Sequence, residues 1–445
     1  MIENENEIVL TAQQEKAKNL ISKWWNEDNN QIFVLAGYAG TGKTFLVDYI
    51  VKNVLKLEKE RVAFVAPTGK AASILIKKGR TEASTIHRLI YNAVEKEYET
   101  EIDGKKIKSK KIEFLKVPEI FGYDLLVVDE ISMVEEKILE DLMSYGIRIL
   151  CCGDAGQLPA IFKSNNLLEN PDFTLTEIVR QAEDNAIICL ATMARNGIRI
   201  PEGNYGNGDV IVINRNNLSE DDFKFISSSV DQIICGTNAT RKNLNEKIRS
   251  WKGIDIEKNK FPLKGEKVIC TTNNWEISLD EKNEYSLVNG IILEAQTDSL
   301  ILDPSLKLGS IELKADFLDN SVPDILFDSS IFSEGSYSFE AWQRAYLLDD
   351  GTFSIKDIFW KKKDGELKED FFKRKKEELI RKHNAISDKQ ISRIEFAYAI
   401  SCHKSQGSEF DSVIVFDESF IFRNDAKKWL YTAITRAKKK LIIIR

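Results

Sequence analysis

Gly37-Tyr38-Ala39-Gly40-Thr41-Gly42-Lys43-Thr44 constrains this chain more than any other stretch. It follows an apolar run at 32–36 and precedes 45–50, which can continue as a helix. A buried strand, a Gly-rich turn and a helix N-terminus form the context of a phosphate-binding loop. Glycines let backbone N–H groups wrap around phosphate oxygens, and the helix dipole favours their negative charge. Gly37, Ala39, Gly40, Thr41 and Gly42 are therefore expected to cradle a triphosphate, with Lys43 on its outer phosphates and the Thr44 hydroxyl on Mg²⁺. The competing reading, a fortuitous Gly-rich turn, is weakened because strand, loop and helix agree. Nucleoside triphosphate binding follows.

A chain of 445 residues has room for roughly two to four domains, each with its own core. No stretch approaches the ~20 apolar residues that span a bilayer, and the first residues are acidic and polar, unlike a signal peptide. The expectation is a cytoplasmic protein, in the host cytoplasm if phage-encoded, with no membrane partner. Six cysteines form no CxxC pair and three histidines offer little to a zinc site, so the cysteines read as small buried hydrophobes. A net charge of −7 argues against a nucleic-acid partner only if no groove is locally basic. Residues 105–116 and 361–382 are rich in positive charge, although either alone reads as a solvated face.

Up to about Gly153, apolar runs at 32–36, 61–66, 125–129 and 148–152 alternate with helical patterns. This predicts a parallel α/β sheet with its chemistry at the strands' C-terminal ends. Between 91 and 117 the alternation breaks, and polar arms flank Asp103-Gly104, a hairpin signal. A second α/β pattern begins near Thr174, with strands at 232–235 and 266–270, and resumes at 394–399, 413–416 and 441–444. Short strand-like runs at 283–317 suggest a small β-barrel module. The expected domains are 1–173, a second core from 174–272 and 394–445, and an insertion at 273–393.

Leu125-Leu126-Val127-Val128-Asp129-Glu130 is an apolar strand ending in two carboxylates. Beside a phosphate loop, Asp129 can organise Mg²⁺ and Glu130 can polarise the attacking water as general base. A strand ending in Gly153-Asp154 presents Gln157, a neutral amide able to sense the terminal phosphate. Phosphoryl transfer also needs cations, and Arg180 and Arg436 are the candidates. Each taken alone reads as an ordinary surface arginine; their company raises them.

In this order the motifs resemble those of superfamily 1B helicases, the RecD/Dda-like 5′→3′ DNA helicases. The resemblance runs through 10–17, 37–44, 66–72, 84–87, 128–130, 153–159, 177–181, 401–410 and 431–437, hence both cores. It implies two RecA-like parallel-sheet domains, with a strand-separating hairpin in the first and an SH3-like insertion in the second. It further implies that Gln14 reads the adenine edge, and that Lys43, Thr44, Asp129, Glu130, Gln157, Arg180 and Arg436 form the ATPase site. By the same resemblance Gly407 and Glu409 link nucleotide to DNA, Pro67, Thr68, Thr85 and His87 line the single-strand groove, and Thr237, Asn238 and His403 face them. Two departures stand out: the Gly-Asp motif ends Leu158-Pro159-Ala160 rather than in two prolines, and Cys402 replaces a small or hydrophobic residue.

The expected activity is ATP- and Mg²⁺-dependent 5′→3′ translocation on single-stranded DNA with duplex unwinding. Single-stranded DNA and its junctions with duplex are the expected partners, with replication or single-strand-binding proteins as candidate protein partners. Both halves of the cleft lie in one chain, so a monomer suffices. The rivals are a motor of opposite polarity and a DNA-independent NTPase switch.

Overall fold

Eight strands come first along the chain: β1 (Ile32–Gly37), β2 (Val62–Ala66), β3 (Ser84–Thr85), β4 (Tyr91–Ile102), β5 (Lys105–Lys116), β6 (Leu125–Val128), β7 (Arg148–Gly153) and β8 (Phe173–Leu175). They belong to a computed structural model that describes residues 9–27, 29–80, 82–102, 105–159, 165–179, 185–280, 285–303, 307–335 and 391–445. The described chain divides into two units. One comprises residues up to 90, 116–255 and 397–445; the other comprises 91–115 and 256–396.

In the first unit, six strands pair in the order β3-β2-β6-β7-β1-β8, and every pairing is parallel. Helices cover such a sheet on both faces, so its strands read as unbroken apolar runs. Accordingly Leu125, Leu126, Val127 and Val128 are all buried. Helix Ala12–Glu27 brings Ile21 and Trp24 onto Leu35, Leu46 and Leu150 to form one core.

The same unit holds a second sheet, built from β9 (Gly203–Tyr205), β10 (Val210–Ile213), β11 (Gln232–Cys235) and, much later in the chain, three more strands. Between them run β12 (Lys267–Cys270), β13 (Asn274–Ser278), β14 (Ser286–Leu287), β15 (Ile292–Ala295), β16 (Leu300–Asp303), β17 (Leu308–Ala315), β18 (Ser321–Asp328) and β19 (Ile394–Phe396). The chain then returns with β20 (Ala399–Ser401), β21 (Phe410–Phe416) and β22 (Ala437–Ile444). The order is β20-β11-β21-β22-β10-β9, parallel except for β9. Helices Ala186–Asn196 and Ala426–Ile434 bury Leu190 and Trp429 against Val413 and Ile443, while Phe223, Leu244 and Ile414 pack in a separate cluster.

The second unit contains an antiparallel sheet, β16-β17-β15-β12-β19 with β18 on β17, around Val268, Leu293, Ile311 and Phe327. It also contains the two-stranded pair β4-β5. The hairpin signal at Asp103-Gly104 lies outside the described residues, as does the charged run 361–382.

Three expected boundaries move. Thr174 and Leu175 pair in parallel with Ala36 and Gly37, so they close the first sheet rather than open the second core. The run 266–270 joins no parallel sheet: β12 pairs antiparallel with β15 and β19 and buries Val268 and Cys270 in the β-rich core. The inserted module therefore starts near 256 instead of 273. The expected strand 394–399 is two strands in different units, β19 and β20, divided at Ala397 and Tyr398. A short apolar run carries no mark of which ladder it will join. Five cysteines are buried as expected, whereas Cys189 is exposed on helix Ala186–Asn196.

Candidate active site

The turn after β1 supplies the phosphate loop, and helix Lys43–Tyr49 begins at its end. Gly40 and Gly42 adopt φ of 79° and 74°, the left-handed region that a side chain disfavours. At Gly37 the constraint is contact: a Cβ there would stand 2.7 Å from Lys43 Cγ. The lysine stem lies along that glycine, and Nζ donates to the Gly37 and Tyr38 carbonyls. Gln14 is 3% exposed and braces the loop from behind. Its Nε2 donates to the Thr41 carbonyl at 3.1 Å and its Oε1 accepts from Thr11 N–H at 3.0 Å. It is not among the residues that line the cavity described next, although a Cβ at the lining residue Gly42 would stand 2.7 Å from its Nε2.

A cavity of about 520 Å³ opens over the loop. Ala39, Gly40, Gly42, Lys43 and Thr44 line it from β1 and its helix, Asp129 and Glu130 from the end of β6, and Gln157 from the turn after β7. From the loops that lead into β21 and β22 of the second sheet, Gly407, Glu409 and Arg436 line the same cavity. The residues suit a magnesium nucleotide: glycines leave room for phosphate oxygens, and a hydroxyl with one carboxylate suffices for Mg²⁺ that keeps waters and phosphates as its other ligands.

Glu130 has a left-handed backbone, φ 52° and ψ 45°, which is costly outside glycine and gathers at active sites. Its N–H donates to Asp129 Oδ1 at 3.0 Å. Burial raises the Glu130 pKa to about 7, and neighbouring Asp129 adds to the rise, while Arg436 and Lys43 oppose it. A carboxyl poised near neutrality suits a general base.

Asp154 organises the turn after β7: Oδ1 accepts from Gly156 N–H at 2.9 Å, and Oδ2 accepts from Gln157 Nε2 at 3.4 Å and from the Tyr431 hydroxyl at 2.6 Å. Arg436 is 4% exposed, and its guanidinium donates to the Thr432 and Ser408 carbonyls and to Thr435 Oγ1. Gly407, at φ 66°, lies close to Thr68: a Cβ would meet Thr68 Oγ1 at 3.4 Å. Glu409 stands 3.8 Å from Lys78 Nζ. Arg180 lies outside the described residues. Lys78 and Lys438 also line the cavity and went unnoticed in the sequence; Lys78 follows helix Gly69–Lys77, which the 66–72 motif opens.

The residues expected to line a single-strand groove gather at one edge of each parallel sheet. Pro67 and Thr68 follow β2, Thr85 ends β3 and His87 comes two residues later; Ala66 pairs with Thr85. Thr237 and Asn238 follow β11 and His403 follows β20; Cys235 pairs with Ser401. Thr68 and Thr237 are helix N-caps whose hydroxyls accept from Ala71 and Thr240 N–H. The Glu418 carboxylate accepts from Gly236 and Thr237 N–H at 2.7 and 3.0 Å. Burial pushes both His87 and His403 below the ordinary imidazole pKa. The two edges match: β3-β2 and β20-β11 occupy the same position in their sheets' strand orders.

Residues 10–207 match the family model of an AAA domain, and 396–444 match that of a UvrD-like helicase C-terminal domain. Over 42% of its length the chain is 30% identical to the ATP-dependent DNA helicase Dda of Enterobacteria phage T4, of which this covers 43%. Over 36% it is 34% identical to the ATP-dependent RecD2 DNA helicase of Deinococcus radiodurans, covering 21% of that protein. Its whole length is 25% identical to 38% of the uncharacterized protein MJ1519 of Methanocaldococcus jannaschii. The chain thus spans less than half of each of these relatives. It carries an AAA-domain match over much of its first half and a UvrD-like helicase C-terminal match at its end, and over part of its length it is similar to ATP-dependent DNA helicases.

Proposed function

We propose that the chain is an ATP-driven 5′→3′ motor on single-stranded DNA that also unwinds duplex. The observation that carries this reading is that Arg436, from the second parallel sheet, lines one cavity with Lys43, Thr44, Asp129, Glu130 and Gln157 from the first. A pocket built from two sheets can draw them together when a triphosphate is bound and release them after hydrolysis. ATP with Mg²⁺ supplies the phosphoryl chemistry. Lys43 neutralises the phosphates, Thr44 and Asp129 hold the cation, Glu130 takes the proton of the attacking water, and Gln157 senses the terminal phosphate. Arg436, with Arg180 by family resemblance, stabilises charge as it spreads over the transferred group.

The matched edges support two DNA grips, one from Pro67, Thr68, Thr85 and His87, the other from Thr237, Asn238 and His403. Gly407 and Glu409, next to both the cavity and the Thr68 helix, suit the link between nucleotide and grip. Grips that tighten and loosen out of phase would move the chain along a strand. The β4-β5 pair would then part the duplex, with the β-rich sheet as an SH3-like support.

ATP hydrolysis measured with and without single-stranded DNA tests the reading. Strong stimulation by DNA, lost in Lys43→Ala with the fold intact, is the expected result; absent stimulation would favour an NTPase switch. Unwinding that prefers 3′ over 5′ overhangs would overturn the assigned polarity.

A further inference from the structure

Tyr431 is 1% exposed on helix Ala426–Ile434, five residues before Arg436. Its hydroxyl stands between two loops of the first sheet. It donates to Asp154 Oδ2 at 2.6 Å and accepts from Ala39 N–H, in the phosphate loop, at 2.8 Å. The neighbouring residue makes a second tie: Thr432 Oγ1 accepts from Leu158 N–H at 2.8 Å. Gln406 Nε2 donates to the Leu158 carbonyl at 2.6 Å, so Leu158 is held through both its N–H and its carbonyl. Asp154 also accepts from Gly156 and Gln157. One carboxylate thereby gathers the phosphate sensor and the tyrosine, and one hydroxyl gathers that carboxylate and the phosphate loop.

A tyrosine buried only for packing needs one hydrogen-bond partner. This one satisfies two, and both belong to segments that line the nucleotide cavity. Its ring is seated without slack: it meets Tyr38 edge-on with centroids 6.4 Å apart, and a Cβ at residue 156 would lie 2.9 Å from Tyr431 Cε1. Any shift of the Gln157 turn or of the phosphate loop must therefore move the phenol, the helix that carries it and the start of the Arg436 turn. Arg436 in turn donates to the Thr432 carbonyl at 3.1 Å, so the arginine is tied to the helix that the phenol anchors.

We propose that Tyr431 is a positioning residue that couples the phosphate loop and the Gln157 turn to Arg436, so that the state of the terminal phosphate sets where the arginine stands. The inference rests on the ATP-motor reading above. It assigns Tyr431 an effect chiefly on turnover, because the hydroxyl reaches the Gln157 turn through Asp154 as well as Ala39 of the phosphate loop, whereas Lys43 and Thr44 take part in neither of those bonds.

Tyr431→Phe removes one oxygen and keeps the ring. Steady-state ATP hydrolysis at saturating single-stranded DNA should lose about tenfold or more in kcat, with KM for ATP changed by less than about threefold. The melting temperature should stay within about 3 °C of wild type. Gly156→Ala tests the same coupling with the hydroxyl retained, since its methyl crowds the Tyr431 ring together with Asp154 Oδ1 and the Tyr38 ring; the same split between kcat and KM is expected, and its absence would overturn the inference should Tyr431→Phe fail to fold. A Tyr431→Phe protein with kcat within about threefold of wild type overturns the inference, as does a kcat loss in both variants that merely follows a fall in melting temperature. A wild type without DNA-stimulated hydrolysis overturns the motor reading and this inference together. A stimulated wild type with an equally active Tyr431→Phe overturns the inference alone.

Discussion

Glu130 concentrates the chemistry of the site in one residue. A left-handed backbone aims it from the end of β6, burial raises its pKa to about 7, and Lys43 and Arg436 temper the rise. Glu130→Gln keeps the shape and removes the proposed base, so hydrolysis should fall by about 10²–10⁴-fold while ATP still binds. Single-turnover hydrolysis beside titration with a fluorescent nucleotide checks both halves; undiminished turnover would remove Glu130 from the role. The carboxylate pair was legible in the sequence because an apolar strand ending in Asp-Glu and a phosphate loop are each local patterns. Tyr431 was not, because its bond to Asp154 joins residues 277 positions apart. Gln14, which the family resemblance assigns to the base, has its amide on the Thr41 carbonyl, a tie that the sequence did not announce.

Among the elements, helix Asn238–Trp251 depends on a partner outside itself. Thr237 caps it, and the Glu418 carboxylate, beyond the end of β21, takes the N–H groups of Gly236 and Thr237 and the Thr240 hydroxyl. An anion at a helix N-terminus opposes the dipole's positive end and satisfies donors that the helix cannot. Glu418→Ala should cost about 1.5–3 kcal/mol, read as a lower denaturation midpoint at unchanged slope, with Glu418→Gln intermediate. No change in midpoint would show that water replaces the carboxylate at no cost. The helix after the phosphate loop has a similar tie. Arg80 donates to Asp48 Oδ1 and to the Thr44 carbonyl and lies 4.4 Å from the Phe64 ring centroid. Helix existence could be read from periodicity and caps; these ties could not, since charged side chains have no periodic signature.

For the whole molecule, a net charge of −7 means that the proposed DNA binding would have to come from a local groove rather than the overall field. Phosphate contacts release counterions, so log affinity for single-stranded DNA should fall linearly with log salt, with a slope of about −0.7 per phosphate neutralised. Fluorescence anisotropy across a salt series measures it, and a flat response would exclude a phosphate-tracking groove. Among the described residues no helix is long and apolar enough to cross a bilayer. The two parallel sheets were foreseeable from alternating apolar runs and helical patterns. Their division was less so, because β12 and β19 read like core strands yet pair antiparallel in the β-rich unit.

What the sequence by itself determined is the chemistry of its short motifs: a strand, a glycine turn and a helix start specify a phosphate site wherever they occur together. It also pointed to a second parallel sheet built from separated stretches, since the α/β pattern stops and returns. Only the tertiary structure decided which runs share a ladder, where the β-rich module begins, and that Tyr431 clasps Asp154 and Ala39. The physical reason is range. Backbone conformation and periodicity are set by near neighbours, whereas strand partners and buried hydrogen bonds are chosen by groups that meet only once the chain has folded.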